Sequence, residues 1–320
     1  MQYYSQYGLN IMSDISLEPL FEPLNSVPVE NNVSVLEMTM EIAETIEDKH
    51  WQCQKEIIEP TNGKVVSLIR FNEDEVRYDY IEADVTFYLR VRELIVYYRA
   101  PCAEIIPIYL SSKIIPFFAN CQGLFLLHAS CIGIGEYAYA FCAPHGGGKS
   151  TVATSIIQAR PDISIISDDI LPIKIDDGIV TVSLSSHFTR IWNPVGQDKN
   201  FDLYPCINAN TTKKVVFMSK PETTKWILSK IYFIKRWNTR VPFLFYPISS
   251  TQIEKLLLHQ YYETGYSYFS EQKIEDSLFI KFLSRNVAGC LTIVDEPLSN
   301  MDKWAKKFLD NYMNTNMSQT

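Results

Sequence analysis

The sequence has no C-x-x-C pair, no apolar run long enough to cross a bilayer and no excess of basic residues. Each absence removes a class of protein. Seven cysteines, an odd and scattered set, fit neither a disulfide scaffold nor a zinc site. They read as reduced core residues of a cytoplasmic protein, and Cys131 and Cys142 sit inside apolar, strand-like runs. The most apolar stretch, Ile105 to Leu127, is broken by Pro107, Lys113, Pro116, Asn120 and Gln122. A spanning helix needs about 20 mostly uninterrupted apolar residues, so this stretch reads as a buried helix followed by a strand. Met1 to Tyr7 has no basic segment ahead of an apolar run, and no secretory signal is expected. Lys plus Arg number 29 against 37 for Asp plus Glu, a net charge of −8. That balance leaves room for a local basic pocket and argues against a broad polyanion-binding surface. Neither a nucleic acid nor a membrane is therefore expected as a partner.

What remains is an ordinary globular composition, 47% hydrophobic and 21% charged, over 320 residues. At about 150 residues per domain, this length corresponds to roughly two domains. Residues 1–122 read as a β-rich α/β subdomain. Tyr7 to Ile11 is expected as one strand, Asn62-Gly63 as a turn, Val85 to Val91 and Glu93 to Tyr98 as strands, and Ala103 to Ala119 as a helix. From Gly123 the chain is denser in β-forming residues: Leu124 to Leu127, Cys131 to Ile134 and Tyr137 to Cys142. A helix is expected from Lys149 to about Arg160, then strands at Ile163 to Ile166 and Ile170 to Ile175. A hairpin turn at Asp177-Gly178 leads into Ile179 to Ser183. Later segments read as a strand at Ile231 to Lys235, helices at Ile253 to Tyr262 and Ile274 to Val287, a strand at Leu291 to Val294 and a helix at Met301 to Tyr312. The second domain is thus 123–312, followed by a polar tail at 313–320.

Ala143-Pro144-His145-Gly146-Gly147-Gly148-Lys149-Ser150, with Thr151 after it, carries the strongest chemical signal. It fits the phosphate-loop pattern G-x-x-x-x-G-K-[ST] except that Ala143 replaces the first glycine. Three glycines let the backbone curl and turn successive N–H groups toward one anion, and the helix that follows adds the positive end of its dipole. Lys149 would place a mobile charge at the β- and γ-phosphates, and the Ser150 hydroxyl would bind Mg²⁺. The plain alternative is a glycine-rich turn that happens to precede Lys-Ser.

Ser167-Asp168-Asp169 follows an apolar run just after the expected loop helix. One carboxylate would hold a metal ion while the other accepts a proton from an attacking hydroxyl; the alternative is a turn, which Asp favours. His128 ends an apolar strand, where a lone histidine is more often a satisfied core residue than a ligand. His145 lies inside the loop. His187, Arg190 and the pair Lys213-Lys214 are weak cationic signals, and Arg190 is the one placed to neutralise a transferred phosphate.

Taken together, a His one strand before the loop, the loop itself and the Asp pair beyond its helix resemble the kinase domain of HPr kinase/phosphorylase. The chain is more similar still to the HPr-kinase-like serine kinases that act on lasso-peptide precursors. Tyr3 to Ile15, Leu127 to Ser130, Ala143 to Thr151, Ser167 to Asp169 and Arg190 to Trp192 carry that likeness. The resemblance implies an α/β fold: a mixed-sheet phosphate-loop domain of the HPr kinase C-terminal type with an N-terminal β-rich subdomain. It implies ATP and Mg²⁺ as cofactors and phosphorylation of a hydroxyl, on a Ser or Thr of a ribosomal peptide precursor. Asp168 would be the proton acceptor, Lys149 and His128 phosphate contacts, and Pro144 to Thr151 the nucleotide-binding loop. Ser150 would be a metal ligand. Phe188 stands where HPr kinase has a metal-binding Glu, and Asp169 is the expected substitute. Two other readings stay open, a small-molecule kinase and a catalytically weak nucleotide-binding regulator. A homo-oligomer also stays open, because HPr kinase is hexameric. A transport ATPase is not expected, since no Leu-Ser-Gly-Gly-Gln stretch occurs.

Overall fold

A computed structural model of the chain describes all residues except 29–31, 60–62, 145, 161, 187, 192–202, 206–213, 218–222, 237–242, 263–271, 295–300 and 311–320. It divides the chain into two units, Met1–Gln122 and Gly123–Thr320.

The first unit is built on short strands, several of which bury one face through period-2 alternation of apolar and polar residues. They are β1 (Gln2–Gln6), β2 (Leu9–Ser13), β3 (Glu22–Pro23), β4 (Asn32–Glu37), β5 (Cys53–Ile58), β6 (Val65–Phe71), β7 (Glu75–Tyr80), β8 (Val85–Arg90) and β9 (Ile95–Arg99). They form one mixed sheet in the order β3-β1-β2-β4-β9-β8-β7-β6-β5, with β4 parallel to β2 and β9. Register sets the core. Tyr78, Phe87 and Tyr98 lie side by side across three strands, as do Val76, Leu89 and Val96. A short helix, α1 (Met40–Glu47), is capped by the Thr39 hydroxyl accepting from the Ile42 N–H. Lys49, just beyond α1, pairs with Glu75, which also accepts from the Tyr88 hydroxyl.

Two expectations for this unit need correcting. Tyr7 to Ile11 is not one strand. Tyr7 and Gly8, both at positive φ, turn the chain from β1 into β2, and Tyr7 is held there by its hydroxyl donating to the Ser111 carbonyl at 2.8 Å. The helical segment expected from Ala103 is also not uniform. It runs as a 3₁₀ turn, then α2 (Ile106–Tyr109), a π turn over Leu110–Ile114 and α3 (Ile115–Cys121). The π turn lies directly ahead of Pro116, whose missing N–H interrupts the regular ladder. Asn62 of the expected turn lies outside the described residues.

The strands of the second unit are β10 (Phe125–Ile134), β11 (Tyr137–Cys142), β12 (Ser164–Ser167), β13 (Ile170–Asp176), β14 (Ile179–Ser183), β15 (Phe188–Ile191), β16 (Leu203–Pro205), β17 (Lys214–Phe217), β18 (Lys225–Arg236), β19 (Phe243–Pro247) and β20 (Ala288–Val294). Its helices are α4 (Lys149–Ala159), α5 (Ser250–Leu258), α6 (Gln272–Asn286) and α7 (Met301–Phe308). The main sheet runs β11-β10-β13-β14-β18-β20-β19, and β11 pairs in parallel with β18, so five of its strands close into a ring. β15, β17 and β16 form a separate antiparallel sheet. β10 is apolar on both faces because each face is covered. Leu127, Ala129 and Cys131 pack toward Ile253 and Leu257 of α5 and Ile280 and Leu283 of α6. Ile132 and Ile134 pack instead with Val152 and Ile156 of α4 and Trp304 and Phe308 of α7. Full burial of such a side chain contributes about 1.5–3 kcal/mol. Among the described residues, no helix is long and apolar enough to cross a membrane.

Burial pushes the Cys142 thiol up to about 12, and Cys131 is raised in the same direction by the same cause. Both thus remain protonated thiols at neutral pH, and only thiolates are reactive. Brief alkylation of the native chain followed by peptide mass analysis is expected to modify the exposed Cys53 and Cys102 and to spare Cys131 and Cys142.

Candidate functional site

The glycine-rich loop leaves the carboxyl end of β11 and enters α4. Its three glycines serve two different needs. Gly146 and Gly148 take φ of +74° and +96°, which side chains rarely adopt. Gly147 is not left-handed; it is crowded, and a Cβ there would lie 2.6 Å from the Ala143 Cβ and 2.8 Å from the Pro144 carbonyl oxygen. The Gly147 N–H donates to that carbonyl at 2.8 Å and closes the turn. Ala143 is thus accommodated where the pattern has glycine. Gly148 caps α4 without a side chain, so no capping group competes for the helix's first N–H groups.

Lys149 is the first residue of α4, where the helix dipole disfavours a cation. It is nonetheless only 8% exposed. Its ammonium lies 2.8 Å from His128 Nε2 and donates to the Ala143 carbonyl at 3.0 Å. An ammonium has only protons to offer, so the tautomer that suits this contact is the one with Nε2 as acceptor and the proton on Nδ1. Nδ1 lies 3.1 Å from both the carbonyl oxygen and Oδ1 of Asp169. A continuous chain of contacts therefore runs from the half-exposed Asp169 carboxylate through His128 to Lys149 and the loop.

Strand register brings these distant residues together. Antiparallel pairing of Ala129 with Cys142 sets His128 beside the start of the loop. On its other edge β10 pairs with β12 and β13, Cys131 opposite Ser167 and His128 opposite Ile170. The Asp pair is therefore a kink within a continuing ladder, and the Ala129 N–H still donates to the Asp169 carbonyl at 3.1 Å. His128 likewise does not end a strand but lies within β10. Ser130, two residues on and on the same face, donates to the Asp168 carbonyl at 2.8 Å and lies 3.3 Å from its Oδ1. Asp168, 6% exposed, is thereby fixed on the face that carries the His128–Lys149 pair.

The structure thus joins Lys149, His128 and Asp169 in one contact chain and sets Asp168 alongside. Ser150 and Thr151 lie in the first turn of α4, and Pro144 is exposed in the loop. Phe188 is buried on β15. The backbone of Arg190 pairs with Val215, while its side chain, His145, His187 and Lys213 lie outside the described residues. Ser130 is a site residue that sequence reasoning passed over. Its signal was a polar residue in an otherwise apolar strand.

Among the described residues, no group of three or more His, Cys, Asp and Glu is arranged to hold a metal ion alone. Mg²⁺ asks for less: one or two protein oxygens, with phosphate oxygens and water completing its octahedron. The Ser150 hydroxyl and the Asp169 carboxylate are donors of that kind.

No family model and no curated protein matches the sequence. Among solved structures, the HPr(Ser) kinase/phosphatase from Coxiella burnetii is similar at a TM-score of 0.34 and 8% identity, over 61% of this chain and 93% of that one. At that level of likeness, function is argued from this chain's own residues.

Proposed function

We propose that the chain is an ATP- and Mg²⁺-dependent kinase that transfers the γ-phosphoryl group to a hydroxyl. The observation that carries this reading is the buried Lys149 ammonium at the head of α4, held against the helix dipole by His128 and the loop carbonyl. Proteins keep such locally unfavourable arrangements where they serve function; an anion at this point would bring the lysine, the helix end and the loop amides onto one ligand.

In this reading the loop N–H groups and Lys149 hold the β- and γ-phosphates. As the acceptor oxygen bonds to phosphorus, the bond from phosphorus to the bridging oxygen breaks, and ADP leaves with that oxygen. Asp168, oriented by Ser130, takes the proton from the attacking hydroxyl. Asp169 holds His128 in the tautomer that leaves Nε2 free to accept from Lys149. Ser150 and Asp169 would hold Mg²⁺, which would supply positive charge to the transferring group. Arg190 is placed by motif order as a further cation for that group.

The acceptor we propose is a Ser or Thr hydroxyl of a peptide, on the strength of the motif order from Tyr3 through Trp192. Incubating the full chain with labelled nucleotide and a panel of precursor peptides and metabolites tests this. A mass gain of one phosphate on a peptide is expected, and a gain confined to metabolites would overturn the peptide assignment. Excess chelator should stop transfer and added Mg²⁺ restore it; full activity under chelation would contradict the metal site.

A further inference from the structure

We infer that Gln260 is an additional phosphate contact of this site, its side-chain amide reaching the terminal phosphoryl group of a bound nucleoside triphosphate. The inference rests on the phosphate-loop reading above.

The expected helix through Tyr262 stops instead at Leu258, because the residues beyond it return to β10. The His128 N–H donates to the Gln260 carbonyl at 2.7 Å, the Tyr262 N–H donates to the Leu126 carbonyl at 2.9 Å, and Leu127 bridges Tyr261 in antiparallel sense. The last residue of β11 paired with this edge of β10 is Cys142, opposite Ala129. Gln260 takes the next position, directly opposite His128.

Residues directly opposite in an antiparallel pair point to the same face, with Cβ atoms about 4.5–5.5 Å apart. Tyr261 marks the other face, its ring centroid 5.3 Å from that of Phe125 and its hydroxyl donating to Asp276 at 2.6 Å. Gln260 therefore lies on the face where His128 meets Lys149.

Gln260 is 9% exposed, and its Oε1 is buried without a hydrogen-bond partner. Such an atom bears the full cost of its lost hydration, which a leucine of similar size would avoid. A primary amide turned about its last torsion offers two N–H donors in place of the oxygen. Swung by its side-chain torsions toward an anion held at Lys149, the amide would gain the partner that it lacks here. Lys149 of a phosphate loop serves the β- and γ-phosphates, and the γ-phosphoryl group is here assigned to the side of His128 and Gln260.

Calorimetric titration of the full chain with Mg·ATP and Mg·ADP tests this, beside thermal melts. The wild type is expected to bind both nucleotides. Gln260→Leu should melt at the same temperature or higher, keep its ADP affinity and bind ATP about 10-fold more weakly, the effect of losing one hydrogen bond to a charged group. Gln260→Glu should lose more ATP affinity through charge repulsion, again sparing ADP. If Gln260→Glu does not fold, the leucine variant decides. Unchanged affinity for both nucleotides, or an equal loss for both, overturns the role of Gln260 and leaves the phosphate loop standing. A wild type that binds neither ATP nor ADP removes the loop reading and the inference with it.

Discussion

Asp168→Asn is expected to bind nucleotide like the wild type while phosphoryl transfer falls about 10²- to 10⁴-fold, the contribution of a general base. Asparagine keeps the shape of the side chain and an oxygen that the Ser130 hydroxyl can still approach, so the loss is of proton acceptance and not of packing. Asp169→Asn should behave differently. It lies half-exposed on His128 and would weaken Mg²⁺ binding, with activity partly recovered at high metal concentration. Transfer rates across a Mg²⁺ titration separate the two. If both variants show the same metal-rescuable defect, Asp168 is a ligand and not the base; near-normal turnover in Asp168→Asn rules out the mechanism.

Lys149→Ala carries the second large effect. Removing the ammonium takes away the charge that meets the phosphates and that stabilises the transferring group, and transfer should fall at least 10²- to 10³-fold, as when one preorganised donor is lost. Nucleotide binding should weaken with it. The fold should survive, because α4 is anchored by Val152, Ala153 and Ile156 against β10, β11 and α7, on the far side of the helix start. Circular dichroism and a thermal melt check that point, and unchanged transfer would contradict the assignment.

The loop was legible because a glycine's freedom is local: Gly148, which the pattern requires, and Gly146 beside it are both at positive φ. The reason for Gly147 was not legible, since crowding by Ala143 is a contact across the turn. Helix α4, the hairpin at Asp177-Gly178 and the apolar runs on either side could likewise be read from neighbours in sequence. Pairing partners could not. His128, Ala129 and Ser130 looked like a break between two strands because polar residues interrupt the apolar run. They lie within one strand, as the His128 ring and the Ser130 hydroxyl find partners on the Asp168–Asp169 kink. That compensation depends on the register of β10 against residues some 40 positions away, which no local pattern encodes. Gln260 is the extreme case. A short polar stretch after a helix gives no sign that it will pair with β10 opposite His128.

The most direct measurement is equilibrium binding of labelled ATP, with Mg²⁺, to the full wild-type chain and to Lys149→Ala. Saturable binding to the wild type, displaced by unlabelled ATP and much weaker in the variant, is the result that a phosphate site at Gly146 to Ser150 requires. No binding at millimolar nucleotide, or equal binding by both proteins, would contradict it.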